Sequence, residues 1–73
     1  MTTRRLNGAT VRALREALGL RSRDLSERAG IDPGYLTKLE NGSRQPSALI
    51  LRKLAIGLGV SIEVISYPAE VAA

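Results

Sequence analysis

The residues with most chemistry to offer in this 73-residue chain are nine arginines and two lysines. The chain has no histidine and no cysteine. Imidazole acid–base catalysis, thiolate nucleophiles, disulfides and Cys/His zinc sites are therefore excluded. The seven carboxylates show no paired arrangement of the kind that acid–base hydrolysis needs. No enzyme, cofactor or metal is expected. Arginine and lysine donate charged hydrogen bonds to phosphates and to base edges. All eleven bases fall in residues 1–53 with five acids, a net of +6, whereas residues 54–73 carry Glu63 and Glu70 alone, a net of −2. A basic body with a mildly acidic end points to a polyanionic partner, nucleic acid first.

The elements that must position these cations are short and punctuated by Gly or Pro. Asn7 is an N-cap type, and Val11, Leu14 and Leu18 follow at helical spacing up to Gly19. A second helix is expected over residues 22–29, with Leu25 and Ala29 inward and Gly30-Ile31 as a left-handed stop with its apolar follower. Asp32-Pro33 opens a third, with Leu36 and Leu39 inward and Asn41-Gly42 at its end. Two short helices joined by a three-residue turn containing glycine form a helix-turn-helix pattern. Ser47 caps a fourth helix whose core face is Leu51, Leu54, Ala55 and Leu58. Residues 60–67 read two ways. Ser61 caps a short helix with Ile62 and Ile65 inward, or Val60, Ile62 and Val64 alternate as a strand. Pro68 ends either, leaving residues 68–73 as a frayed tail. Arg28 reads as a solvated charge. The longest apolar run is four residues, 48–51, against about 20 for a membrane span. With no secretory pattern at the start, a cytoplasmic location is expected and no membrane partner.

The pattern Val11-x-x-Leu14-Arg15-Glu16-x-Leu18-Gly19-Leu20, with Asp24-Leu25-Ser26 and Ala29-Gly30-Ile31, resembles the Cro/C1-type (xenobiotic-response-element) helix-turn-helix family of phage and bacterial regulators. Tyr35-Leu36-x-Lys38-Leu39-Glu40-Asn41-Gly42, Arg44-x-Pro46-Ser47 and Leu54-Ala55 with Leu58-Gly59-Val60 continue it without gaps. The resemblance implies an all-α, compact five-helix lambda-repressor-like domain over residues 7–67. Its last segment is helix or short strand, its motif spans residues 22–41, and residues 1–6 are a basic arm. It also implies that residues 33–41 enter the major groove of double-stranded DNA while residues 22–29 cross the backbone.

Roles follow residue by residue, from the resemblance and from the chemistry of each side chain. Lys38, Thr37 and Tyr35 are the expected groove contacts. Pro33 and Gly34 stand where the family often places polar base readers, and neither side chain hydrogen-bonds, so base contacts are fewer or shift to those three. Arg21, Ser22 (in place of a usual Gln), Arg23, Asn41, Gly42, Ser43, Arg44 and Gln45 are the expected phosphate set. Gly42 lets the backbone approach a phosphate, with exposed amides and Arg44 as donors. Arg4 and Arg5 form an arm for a neighbouring groove, or a solvated terminus. Arg15 and Glu40 are expected to pair as a structural ion pair.

Leu49, Ile50 and Ile56 lie outside the core face of the fourth helix. With Ile62, Val64 and Tyr67 they are the expected interface of a homodimer reading an inverted repeat. The expectation is a sequence-specific DNA-binding transcriptional regulator. The competing reading is a protein-interaction module on the same fold, an antitoxin or recombination accessory factor with a protein partner.

Overall fold

The computed structural model describes residues 2–70. Their order is β1 (Thr2–Leu6), α1 (Gly8–Ala17), α2 (Ser22–Ala29), α3 (Pro33–Glu40), α4 (Ala48–Leu58), α5 (Ile62–Ile65) and β2 (Ser66–Glu70). Helix starts follow the cap residues. Asn7 accepts from the Thr10 amide, Asp32 from the Gly34 and Tyr35 amides, and Ser47 from the Ile50 amide. No α-helix here exceeds 11 residues, so the helices are held by packing rather than by propensity. The core gathers Leu6 of β1 with Val11, Leu25, Ala29, Leu36, Leu39, Leu51, Leu54, Ala55, Leu58 and Ile65, drawn from all five helices.

The expected all-α fold is borne out only in part: the five helices are present, but a short two-stranded sheet joins them, so the fold is mostly α. Residues 60–67 are neither helix nor strand alone: α5 ends at Ile65 and β2 begins at Ser66. Residues 2–6 are not a free arm. They pair antiparallel with β2 in the register Arg4↔Pro68, Arg5↔Tyr67, Leu6↔Ser66. The Asn7 amide continues the ladder to the Ile65 carbonyl at 2.8 Å. Antiparallel pairs alternate between bonded and non-bonded, so residues 5 and 7 bond inward and residues 4 and 6 face their backbone outward. Pro68, opposite Arg4, therefore presents its donorless nitrogen to the outer edge, and so a proline does not end the strand. Residue 1 and residues 71–73, the rest of the expected arm and tail, lie outside the described residues.

A two-stranded ribbon is marginal by itself. This one is anchored by the burial of Leu6 and Ser66. Arg4 adds hydrogen bonds from Nε to Ser66 Oγ (2.7 Å) and from Nη2 to the Ser66 carbonyl (3.1 Å).

Candidate nucleic-acid interface

The α2–turn–α3 unit is fixed by burial and by its turn. Leu25, Ala29, Leu36 and Leu39 are buried, and Ser26 of α2 is 1% exposed with its hydroxyl donating to the Arg23 carbonyl. Gly30 takes φ +67°, which a side chain would disfavour, and the Ile31 amide closes back on the Ser26 carbonyl at 2.9 Å. With the apolar side of α3 sunk into the core, Thr37 and Lys38 are left exposed and Tyr35 half-buried.

The far end of α3 is held against α1. Arg15 Nε donates to Glu40 Oε2 at 2.8 Å and Nη2 to Oε1 at 3.2 Å, a two-point pair with side chains 12% and 8% exposed. Arg15 Nη1 also donates to the Leu20 carbonyl at 3.0 Å. The hydrogen bond to Glu40 holds the guanidinium proton more tightly than usual. Gly8 lies against the same helix end. A Cβ there would press on the Leu39 carbonyl oxygen and stand 2.7 Å from that of Glu40. No motif in the sequence singles out Gly8. Its signal was a glycine at the first helical position, directly behind the Asn7 cap, where better helix formers are ordinarily favoured.

The expected phosphate residues divide into groups. At the front of α2, Arg23 is exposed and Ser22 half-buried. Arg21 is exposed but engaged: its amide donates to Asp24 Oδ2 at 2.7 Å, and its Nε and Nη2 reach the Asp24 oxygens at 3.2 Å. The Arg21 guanidinium, then its amide, hold the Asp24 carboxyl below the usual carboxylate range. The dipole-opposed cation at this helix start is thus balanced within the protein.

In the loop after α3 the expectation of exposed amide donors is corrected. The amides of Ser43 and Arg44 donate to the Lys38 carbonyl at 3.0 and 3.2 Å, and that of Gly42 to the Leu39 carbonyl at 3.3 Å. The Asn41 side chain accepts from the Ser43 amide and hydroxyl. These short returns satisfy the helix-end carbonyls and spend the donors. The exposed Arg44 guanidinium remains the loop's cation. Gln45 Oε1 accepts from the Leu6 amide at 2.9 Å, so this oxygen is committed to the ribbon. The Thr37 hydroxyl is likewise engaged within its own helix, donating to the Pro33 carbonyl at 3.1 Å.

Elsewhere, Arg28 does more than meet solvent: its Nη1 donates to the Gly57 carbonyl at 3.2 Å, tying α2 to α4. Of the expected interface residues, Leu49, Ile56, Val64 and Tyr67 are exposed, Ile56 by 71%. Ile50 and Ile62 are partly buried against the molecule's own core, so they are not free apolar surface. Leu18, at helical spacing from Val11 and Leu14, is 53% exposed although its amide still bonds the Leu14 carbonyl at 2.9 Å.

A helix-turn-helix family profile matches residues 11–65. The chain belongs to the Cro/C1-type helix-turn-helix family. Two Mycobacterium tuberculosis proteins named as HTH-type transcriptional regulators are each 41% identical to it over 64 residues, 88% of this chain and 46% of theirs. The chain thus spans about half the length of these curated relatives. A regulator so named from Sinorhizobium fredii is 39% identical over 61 residues, 84% of this chain and 79% of that one. Among solved structures, the restriction-modification controller protein C.AhdI from Aeromonas hydrophila has a TM-score of 0.76 and 33% identity, over 78% of this chain and 86% of that one. The biofilm master regulator SinR, solved in complex with DNA, has a TM-score of 0.72 and 30% identity, over 77% of this chain and 90% of that one. The match spans both α2 and α3, and Thr37, Lys38 and Arg44 are exposed on or just beyond α3.

Proposed function

We propose that this chain binds double-stranded DNA in the cytoplasm and regulates transcription, with α3 in the major groove. The observation that carries the reading is the family match across both motif helices, together with the exposed Lys38 and Arg44 at the end of α3. Lys38 is the base or groove contact, and Arg44, Arg23, Ser22 and a released Arg21 are the phosphate contacts. Thr37 offers its methyl to a thymine, since its hydroxyl is turned to Pro33. The chain acts as a homodimer through Leu49, Ile56, Val64 and Tyr67, spacing two recognition helices by about 34 Å on an inverted repeat. The relatives' names as transcriptional regulators support this over an enzyme. A protein-interaction role is the second reading, favoured by Pro33 and Gly34, which offer α3 no hydrogen-bonding side chain in its first turn.

Selection from a random duplex library, with sequencing of the bound fraction, tests the proposal. An enriched inverted repeat is the expected result. Salt-sensitive binding with no enriched motif contradicts sequence-specific regulation.

A further inference from the structure

Gln45 has the residue type and the loop position of a phosphate contact, yet its carboxamide is employed elsewhere. Its Oε1 accepts the Leu6 amide at 2.9 Å, across 39 positions of sequence. The ladder explains the need. Since Asn7 bonds inward to Ile65, the Leu6 amide faces away from β2. Leu6 is 3% exposed, and its outward amide finds its acceptor in the carboxamide of Gln45, a residue otherwise exposed. The loop is also fixed at its start, where the Ser43 and Arg44 amides close on the Lys38 carbonyl. Arg44 therefore sits in a loop tied to the recognition helix at one end and to the terminal ribbon at the other.

We infer that Gln45 is a positioning residue that braces the loop after α3 against β1, so that the ribbon formed by the chain's two ends sets DNA affinity through Arg44. The inference rests on the DNA-binding reading above. It assigns the ribbon a task at the interface that requires no contact with DNA by β1 or β2.

The test compares the full chain with Gln45→Ala and Gln45→Glu, measuring affinity for a mixed-sequence duplex and hydrogen exchange at the Leu6 amide. Glutamate keeps an acceptor for Leu6 but would set a negative charge against any phosphate that Gln45 touched. The brace predicts that Gln45→Glu keeps Leu6 protection and binds within about threefold of the parent, whereas Gln45→Ala loses protection and binds about tenfold more weakly. Should the alanine variant fail to fold, the glutamate variant decides alone: a loss of tenfold or more with Leu6 still protected overturns the brace in favour of a phosphate contact. If Gln45→Ala loses protection or melting temperature while duplex affinity stays at the parent's, the role is structural only and the inference fails. A parent chain that binds neither the mixed-sequence duplex nor any duplex selected from a random library overturns the functional reading and the inference with it. A parent that binds equally well as Gln45→Ala overturns the brace alone.

Discussion

Lys38 and Arg44 are both exposed cations at the end of one helix, and their loss should read differently. Lys38→Ala is expected to relax preference at one base pair by about 1–3 kcal/mol, visible as a flattened position in a selected motif. Arg44→Ala should weaken all duplexes alike and lower the salt slope by about one. Two other residues act on α3 from behind. Arg15→Ala would leave Glu40 charged at 8% exposure, a loss on the order of 3 kcal/mol in a denaturant titration. Gly8→Ala should cost about 1–3 kcal/mol, because the atoms it meets are carbonyls of α3 that cannot swing aside. At this scale the sequence told residue types well and partners poorly. Thr37, Gln45 and Arg28 looked outward by type, but their partners come from a backbone turn, a strand 39 positions away and a helix 29 positions away.

The helices were legible because their starts and stops are local. Asn7, Asp32 and Ser47 cap within three residues, and Gly30 ends α2 through its own φ. The ribbon was not legible, since β1 carries adjacent arginines rather than an apolar alternation, and its partner lies at the other end of the chain. Pro68 reads as a breaker until the register shows its nitrogen facing outward. The front of α2 yields a pH dependence. Asp24 is held below the usual carboxylate range, so its contribution is present above about pH 4 and is lost as pH falls through the lowered value. Glu63, lowered by its own amide and the Ser61 hydroxyl, works in the same sense. Thermal midpoints measured from pH 6 downward should fall below about pH 4, less steeply in Asp24→Asn, which keeps an acceptor but no charge.

Over the whole molecule, charge and apolar surface separate. The net of +6 over residues 1–53 sits on the motif, its loop and the elements around it, while the later segment exposes Ile56, Val64 and Tyr67 with Glu63 as its charge before Glu70. The basic excess that first pointed to a polyanion is divided: Arg15, Arg4 and Arg28 make internal bonds, Arg23, Lys38 and Arg44 are exposed on or beside α2 and α3, and Arg5, Arg52 and Lys53 are exposed elsewhere. The single chain has a radius of gyration of 11.6 Å, close to the roughly 11 Å of a compact chain this long, so X-ray scattering readily separates it from a dimer. Leu49→Asp with Ile56→Asp should convert a dimeric species to one of protomer size. The measurement that tests the account most directly is amide chemical-shift mapping of the labelled chain against a selected duplex. Shifts clustered on residues 21–23, 33–38 and 41–44 are the expected result. Shifts confined to α4, α5 and β2, with α3 unmoved, would contradict it.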